Sequence, residues 1–422
     1  MKNYIKNNFN KILSIFILIQ PTLDLITGYS IHKLNMNLTI GIIIRMLFLF
    51  FVMITSTFIY NKKKNIIYYS LFFIYSIFYT LGIILFRNNI GLFTELQGLL
   101  RTYYFPLLLI SLYSIKDEIK VSKMLLVTTL IMYLIFIFVP NFLGLGFKSY
   151  EITKAGSLGF FNSANEISGI ISILTPIMIL VFKERKNYLS IVLITILYLY
   201  VILNMGTKTP LLTLTITVVF LVLWLWVKNI KTKNYKLIGI SFLVLLVTII
   251  SIIAIIPKTN FYKNIETHLE FLEVDDIGDV LEKPKLIDHF IFSQRLTFLS
   301  KRQKTYNKAN IYQKVFGIGY LKNKKLVKAI EMDYFDIYYN HGFVGFIIFL
   351  LGYISVLYKT LKNRKELDFK QYMVYVSLFL IIILSLFTGH IITAPAVSIF
   401  VIMIILMCDK SVIVEENLSK NK

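Results

Sequence analysis

Residues 331–358 read EMDYFDIYYNHGFVGFIIFLLGYISVLY, and this stretch sets the class of fold. Three acidic side chains, Glu331, Asp333 and Asp336, come first, and a long apolar run follows them directly. A membrane span needs roughly 20 mostly apolar residues, which this run supplies. Carboxylates at the mouth of a span are costly to hold and are functional candidates. The stretch therefore predicts a transmembrane helix with an acidic site at one end.

The composition extends this conclusion to the whole chain. Of the 422 residues, 57% are hydrophobic and 16% are charged, and the mean hydropathy is +0.71, which excludes an ordinary soluble domain. The sequence predicts an all-α polytopic membrane protein with about 12 transmembrane helices and one large extracytoplasmic loop. The predicted spans are residues 12–30, 38–60, 66–86, 94–115, 121–143, 164–182, 188–206, 210–227, 237–257, 335–358, 371–389 and 391–408.

The positive charge follows this topology. The net charge is +22. If the N-terminus is cytoplasmic, Lys and Arg concentrate in the cytoplasmic segments. These segments are residues 2–11, 62–64, 116–123, 183–186, 228–236 and 359–370. This positive-inside pattern predicts a multi-pass protein with both termini in the cytoplasm. Its partner is then the lipid bilayer and not nucleic acid. Abundant Lys, Asn, Ile, Tyr and Phe are typical of an AT-rich bacterial genome, which places the protein in a bacterial cytoplasmic membrane.

One connection is much longer than the others. We divide the chain into residues 1–257 with transmembrane helices 1–9, residues 258–334 as an extracytoplasmic cap loop, and residues 335–422 with helices 10–12 and a short cytoplasmic tail. The cap loop is acidic in its first half and basic in its second. A long loop in a compact protein is usually functional. Its apolar residues favour a packed cap of short helices over a solvated linker: Phe271, Leu272, Leu296, Phe298 and Leu299.

Several charged residues lie within predicted spans, where they are functional candidates. Arg45 has a structural alternative, since it can pair with Asp24 of the neighbouring span. Lys208, in NMGTKTP, can extend its side chain to the membrane interface. Arg101 lies in a span already rich in polar groups, as expected of a helix that lines a wet cavity. The single cysteine, Cys408, excludes a disulfide and a cysteine metal site.

The segment KAGSLGFFNSANEISGIISILTP, residues 154–176, has Gly, Ser and Asn at the entrance of a span. This predicts a tight turn with exposed backbone N–H groups, followed by the positive end of a helix dipole. Asn162, Asn165 and Ser168 are candidates to face an anionic or sugar ligand. Asn165 has an equal alternative as an ordinary helix cap.

The acidic stretch itself predicts a register. With Asp333 as N-cap, the side chains of Asp333, Asp336 and Asn340 share one helix face, and Glu331 precedes the helix in the mouth of the protein. The alternative is that Asp333 only caps and Asp336 pairs with a loop lysine. The same helix has three glycines for close packing, Gly342, Gly345 and Gly352. We interpret His341 as a hydrogen-bonded packing residue and His390 as a residue that lines the outer cavity.

Five segments in this order resemble the O-antigen ligase and polysaccharide polymerase family of integral membrane glycosyltransferases. They are SLGFFNSANEISGIISILTP (157–176), NMGTKTPLL (204–212), SQRLTFL (293–299), FGIGY (316–320) followed by the acidic stretch, and TGHIITAPAVS (388–398). The resemblance implies a GT-C-like fold and an enzyme that needs no metal or other cofactor. Its expected partners are a polyprenyl-diphosphate-linked glycan donor, a glycan acceptor, and a flippase and chain-length regulator of the same pathway.

The resemblance also implies roles for particular residues. Many family members have a His-Asn pair about eleven residues before the Gly-x-x-Gly of this span, where this chain has Glu331 and Met332. The base is therefore Glu331 or Asp333. Arg295 corresponds to the family's outer-loop arginine that holds the diphosphate, and Lys208 to the cation at the start of the eighth span. With Arg101 they form a cationic clamp, which suits the charge that grows on a departing diphosphate.

Three functions are compatible with these observations. The first is polymerisation or ligation of lipid-linked repeat units on the outer face of the membrane, for capsule, exopolysaccharide or another surface glycan. The second is a lipid-linked oligosaccharide flippase or transporter, which has no use for a one-sided cap. The third is a non-catalytic component of envelope assembly, which leaves the clustered ionisable groups unexplained. Polymerase and ligase share the donor and differ only in the acceptor.

Overall fold

The computed structural model describes residues 2–35, 40–87, 91–149, 156–185, 187–255, 257, 259–271, 284–322 and 325–415. Most of the acidic half of the predicted cap, including Leu272, lies outside the described residues, as does the tail from residue 416.

Helices dominate the described chain. Several begin at a residue that favours a helix start, such as Pro21 in the first turn of the second helix and Pro395 at the start of the last. The helices are α1 (Lys2–Leu18), α2 (Gln20–Leu34), α3 (Ile40–Ile54), α4 (Asn65–Arg87), α5 (Leu92–Ser114), α6 (Lys123–Phe142), α7 (Ala164–Glu184), α8 (Tyr188–Met205), α9 (Lys208–Lys231), α10 (Tyr235–Ile255), α11 (Asn260–Phe271), α12 (Pro284–Phe290), α13 (Arg295–Asn307), α14 (Ile311–Phe316), α15 (Asp333–Lys362), α16 (Phe369–Phe387) and α17 (Pro395–Cys408).

A π-helix (Thr55–Ile59), a 3-10 helix (Lys116–Glu118) and four short strands complete the described chain. The strands β1 (Lys120–Ser122) and β4 (Ile413–Glu415) pair in parallel, and β2 (Leu321–Lys322) and β3 (Lys325–Leu326) form an antiparallel hairpin.

A helix occupies each predicted span, and the all-α polytopic membrane architecture is confirmed. Within the described residues, eight helices are long and apolar enough to cross a membrane, or nine if α1 and α2, which meet at a bend of 42°, form one span. The count of about 12 stays a prediction. The helix α5 is not among the eight and has polar residues in its first half, and α17 is short.

The short helix α17 lies in the middle of the bundle. Each of its residues is buried, and it packs against α5, α7 and α16. A helix that is apolar on all sides is stable only when other elements surround it. The core of the protein is therefore built around α17, next to the loop that carries His390.

The predicted pair between Arg45 and Asp24 is confirmed. Arg45 Nη2 lies 2.5 Å from Asp24 Oδ1, and both residues are buried. Gln20 accepts a bond from Arg45 Nε at 2.9 Å, and the Tyr133 hydroxyl donates to Asp24 Oδ2 at 2.5 Å. Because buried charges must be paired and hydrogen-bonded, this cluster joins α2, α3 and α6 and leaves no free charge.

The helix α15 is broken at Gly342, which has φ 68° and ψ −176°. A Cβ at this position would lie 2.5 Å from the backbone nitrogen of Gly317. The segment after α14 lies against the break, and the N–H groups of Ile318 and Gly319 donate to the carbonyls of Tyr339 and Asn340 at 3.1 and 3.0 Å. The part of α15 after the break is itself about as long as the roughly 20 residues of a span. The part before it belongs to the functional end of the molecule.

A buried polar network fixes the FGIGY segment to the membrane helices. Glu95 is fully buried and accepts the backbone N–H groups of Tyr320 and Leu321 at 2.8–2.9 Å. The Tyr320 hydroxyl lies 2.7 Å from His341 Nε2, and the Tyr75 hydroxyl lies 3.2 Å from His341 Nδ1. His341 is therefore a buried, hydrogen-bonded packing residue, as interpreted from the sequence.

The described part of residues 258–334 folds into short helices. Leu299 and Tyr306 of α13 pack on a small apolar cluster made by Ile318, Ile330, Met332 and Tyr339. Leu296, in the first turn of α13, is 42% exposed and is not part of this cluster. The boundaries of the cap as a domain stay a prediction.

Candidate functional site

Glu331 lies at the junction between the cap and α15, where two other parts of the chain bind its carboxylate. Its Oε2 accepts hydrogen bonds from Asn165 Nδ2 at 3.1 Å and from Arg295 Nη2 at 3.0 Å. The side chain of Glu331 is 29% exposed and that of Arg295 is 11% exposed. The beginnings of α7, α13 and α15 thus meet around one partly accessible carboxylate.

Arg295 is held in place by groups outside its own helix. Asp288 of α12 accepts the backbone N–H groups of Leu296 and Thr297, each at 2.9 Å, and the Thr297 hydroxyl at 2.6 Å. Asp288 therefore satisfies donors that the start of a helix leaves free. The guanidinium also donates to the carbonyl of Thr388 at 3.2 Å, and its Nε has no partner among the described residues.

Backbone strain is concentrated around this ion pair. Ser293 and Gln294, which precede Arg295, have φ values of 53° and 66°, Glu331 has 63°, and His390 has 58°. A residue other than glycine seldom adopts such a conformation unless its surroundings enforce it. Gly389 also has a positive φ, and a Cβ there would lie 2.5–2.9 Å from backbone atoms of Glu331. Strain of this kind clusters at functional sites.

Asp333 differs from its predicted position. Met332 and not Asp333 is the N-cap residue of α15. The carboxylate of Asp333 is buried and accepts the backbone N–H groups of His390, Ile391 and Ile392 at 2.7, 2.9 and 3.0 Å, and the Thr393 hydroxyl at 2.5 Å. The few residues between α16 and α17 form no helix, so these backbone N–H groups have no intrahelical acceptor. Asp333 accepts their hydrogen bonds instead. It attaches the loop of residues 388–393 to α15.

Asp336 and Asn340 are also bound by the protein. Asp336 accepts the N–H groups of Ile330, Glu331 and Met332 at 2.9–3.3 Å, so the alternative in which Asp336 pairs with a loop lysine is wrong. The carboxylate thus binds the chain that enters α15. Asn340 accepts a bond from the buried guanidinium of Arg302, which also donates to the Gly319 carbonyl. Of the three acidic residues, Glu331 alone pairs with an arginine of the basic loop among the described residues.

The start of α7 extends the site towards α5. Ser163 is the N-cap residue and accepts the N–H of Glu166 at 3.4 Å, so the alternative of Asn165 as cap is wrong. Asn165 instead lies within the helix and reaches Glu331. Glu166 lies 3.9 Å from Arg101, whose side chain is 44% exposed. The polar row Arg101, Glu166, Asn165, Glu331 and Arg295 therefore consists of two ion pairs, Arg101–Glu166 and Arg295–Glu331, which are linked because Asn165 and Glu166 are adjacent in the chain.

The other candidates at α7 divide into two groups. Asn162 is exposed in the loop just before α7. Ser168 is buried and lies 3.0 Å from the Thr207 hydroxyl, so it does not face a ligand. It lies three residues after Asn165, deeper in the bundle, where its hydroxyl is used by Thr207.

Lys208 is the first residue of α9 and contacts α12. Its ammonium group donates to the carbonyl of Phe290 and lies 3.9 Å from the centre of the Phe290 ring. It thus holds the end of α12, from which the chain turns into Arg295. Among the described residues, Lys208 contacts α12 and forms no ion pair with the Glu331 carboxylate.

His390 lies in the loop that Asp333 binds. Its backbone N–H is used by Asp333, and its ring is half-buried and close enough to Asp336 for electrostatic interaction. His390 is therefore near the acidic stretch, and its role in lining the outer cavity stays a prediction.

Two groups outside the spans have shifted pKa values. Burial lowers the pKa of His289, which favours a neutral ring and fits the 2.6 Å contact between its Nε2 and Gln294 Nε2 as a bond donated by the amide. Burial raises the pKa of the Tyr320 hydroxyl, which lies against His341.

Three contributors were missed from the sequence. Asp288 precedes its helix by too many residues to match an ordinary cap pattern, and Arg302 lies in a basic run of the kind that is usually solvated. The Thr388 carbonyl is a backbone group and has no sequence signal. The acid Glu166 was noticed only as a neighbour of Asn165, and its spacing from Arg101 becomes visible only in the folded chain.

Comparison with known proteins identifies the family of the chain. The model of a family described as O-antigen ligase like membrane protein matches residues 6–279 and 278–411, which is most of the chain. A search of curated proteins finds no significant match. The family implies a glycosyltransferase-type enzyme of membrane glycan ligation or polymerisation, with lipid-linked glycans as substrates. The chain belongs to the O-antigen ligase like family of membrane proteins.

Proposed function

We propose that the protein polymerises polyprenyl-diphosphate-linked oligosaccharide repeat units on the outer face of a bacterial cytoplasmic membrane. Ligation of the same donor to a different envelope acceptor is the second form of this chemistry. The observation that carries the proposal is the contact of Arg295 and Asn165 with one partly exposed carboxylate, Glu331.

The reaction requires a base and a cation close together, and this pair supplies both. An acceptor hydroxyl attacks the anomeric carbon of the donor sugar and transfers its proton to Glu331. The bond from that carbon to the diphosphate oxygen breaks, and the configuration inverts. Arg295 stabilises the negative charge that develops on the leaving diphosphate, which is an electrostatic role suited to a preorganised guanidinium.

The neighbouring residues have supporting roles in this proposal. Asn165 orients Glu331, and the exposed Arg101 at the other end of the polar row binds a second part of the diphosphate or glycan. Asn162 and His390 line the path of the glycan. Lys208 keeps α12 and Arg295 in position. Asp333 and Asp336 fix the loops around the base.

The wider context is part of the proposal. The product is a capsule, an exopolysaccharide or another surface glycan, and no metal is required. Both termini lie in the cytoplasm, and a flippase supplies the donor while a chain-length regulator acts on the product.

Deletion of the gene, followed by separation of lipid-linked glycans by length and membrane leaflet, tests the proposal. We expect single repeat units to accumulate on the outer leaflet, because the donor arrives there and is not consumed. Complementation with the wild-type chain restores long glycan, and complementation with Glu331→Gln does not.

Two other outcomes assign the protein differently. Long polymer that remains on its lipid carrier identifies a ligase. Single repeats confined to the cytoplasmic leaflet identify a flippase and contradict both forms of the proposed enzyme.

A further inference from the structure

A second polar region lies at the opposite end of α15 from Glu331. A cavity of about 730 Å³ is formed where the turn between α3 and α4, the end of α5 and the last turns of α15 meet. Five lysines line it, and no acidic residue is among its described lining: Lys62, Lys63, Lys64, Lys116 and Lys359. All five lie in segments that the charge pattern places in the cytoplasm.

The turn that presents three of these lysines is fixed by hydrogen bonds. Asn61 adopts a left-handed conformation with φ 58°. The N–H of Lys62 donates to the Ser56 carbonyl at 3.0 Å, and Asn65 Nδ2 donates to the Ser114 hydroxyl at 2.8 Å. The backbone is thus anchored on α5, whereas the side chains of residues 62–64 are exposed.

Most of the positive charge at the cavity is unneutralised. Lys116 Nζ lies 2.6 Å from Asp409 Oδ2. In the described parts of the chain, no carboxylate forms an ion pair with Lys62, Lys63, Lys64 or Lys359. Four ammonium groups around one cavity repel each other, and an anion in the cavity relieves this repulsion.

The cavity also has an apolar side. Ile110, Val356 and the buried Tyr68 line it, and the Tyr68 hydroxyl is already used by the Ile348 carbonyl at 2.9 Å. Cations next to apolar surface at the end of membrane helices match a molecule with an anionic head and apolar chains. A soluble anion uses only the first of these two features.

We propose that this cavity binds the phosphate-bearing headgroup of an anionic membrane phospholipid. Basic pockets between transmembrane helices on the cytoplasmic side are suited to such headgroups, because each lysine near the surface contributes attraction in the field of the anionic leaflet. The site is independent of the Glu331 chemistry and holds the bundle from its other end.

The test measures lipid retained by the purified full-length protein. Native mass spectrometry compares phosphatidylglycerol with phosphatidylcholine on the wild type and on Lys62→Gln/Lys63→Gln/Lys64→Gln/Lys359→Gln. The matched control, Lys228→Gln/Lys231→Gln/Lys233→Gln/Lys236→Gln, removes the same charge from the end of α9, the turn after it and the start of α10, none of which lines the cavity. A variant with arginine at the four cavity positions keeps the charge and shows whether the cavity tolerates substitution.

We expect selective retention of phosphatidylglycerol by the wild type, the control and the arginine variant. Replacement of a single cavity lysine by glutamine weakens the binding of phosphatidylglycerol roughly fivefold. Equal retention by the cavity variant and the control overturns the proposal. Displacement of the lipid by inorganic phosphate alone also overturns it and assigns the cavity to a soluble anion. Glu331→Gln retains the lipid, so failure here is separate from failure of the proposed enzyme.

Discussion

Glu331 and Asp333 are two residues apart, but the protein uses their carboxylates differently. Glu331 is partly exposed and has one oxygen bound by Asn165 and Arg295. Asp333 is buried, and its two oxygens accept four hydrogen bonds from the loop of residues 388–393. Only Glu331 retains an oxygen that can accept a proton from a substrate, so the geometry favours it as the base.

The pair Glu331→Gln and Asp333→Asn separates catalysis from stability. We expect Glu331→Gln to lower turnover by about 10²–10⁴-fold, because glutamine cannot take a proton, with little change in thermal stability. Asp333→Asn should lose about 2–3 kcal/mol, because an amide cannot accept all four bonds and leaves buried N–H groups unpaired. Polymerisation of a lipid-linked donor and thermal unfolding in detergent measure the two effects. A stable but inactive Asp333→Asn variant, together with an active Glu331→Gln variant, would assign the base to Asp333.

At the scale of the helix, the break in α15 determines where the site lies. Gly342 ends the regular first part of the helix, and the segment after α14 uses the carbonyls of Tyr339 and Asn340. The nine residues before the break bear the carboxylates and contact the cap, whereas those after it form the apolar span. The break thus separates the functional part of α15 from the membrane anchor.

Gly342→Ala is predicted to damage folding. The left-handed conformation alone costs about 1–2 kcal/mol for alanine, and the added Cβ would also lie 2.5–2.6 Å from Gly317 N and Val315 O. Gly144→Ala has the same sign of φ but open space around the Cβ, and Gly239→Ala has open space in a regular helix. Unfolding temperature and yield should fall in the order Gly239→Ala, Gly144→Ala, Gly342→Ala. Equal unfolding temperatures and yields for Gly144→Ala and Gly342→Ala would show that contact of the added Cβ with Gly317 and Val315 does not destabilise the protein.

The elements were far easier to predict than this break. Apolar runs of membrane length located all the long helices, since length and hydropathy alone define a span. Gly342 was expected to allow close packing, which it does, because a glycine in an apolar helix is typical of a packing contact. Whether it also interrupts the helix depends on the segment around Gly317, which no local pattern announces.

On the scale of the whole molecule, the buried Arg45 cluster connects three helices, α2, α3 and α6. Arg45→Met should cost about 3–5 kcal/mol, because it leaves Asp24 charged and unpaired in the interior. Asp24→Leu/Arg45→Met should be more stable than Arg45→Met, since no buried charge remains, while the Tyr133 hydroxyl stays unpaired. Unfolding of the two variants in the same detergent gives the difference. If the double variant loses as much stability as Asp24→Leu and Arg45→Met lose together, the broken ion pair is not the source of the cost.

The residues of the site could be predicted from the sequence, but the contacts between them could not. Arg295, Asn165 and Glu331 were identified as candidates, because charge and amide groups are conspicuous beside apolar spans. Asp333 binds amides 57–59 residues away, and Asp288 fixes the start of the arginine helix. Both contacts depend on how distant loops meet. Such contacts produce no periodic pattern and no motif in the sequence, so they are visible only in the folded structure.

The two glycines at the break, Gly317 and Gly342, impose a limit on how this protein can evolve. Both have positive φ. A Cβ on Gly317 would contact the backbone near Gly342, and a Cβ on Gly342 would contact the backbone near Gly317. Because these contacts are with backbone atoms, a smaller side chain nearby cannot relieve them. A replacement at one position therefore has no compensating replacement at the other. Variation that changes the acceptor or the glycan must arise around the break, in the loops that surround Glu331, while these two positions remain glycine in every functional descendant.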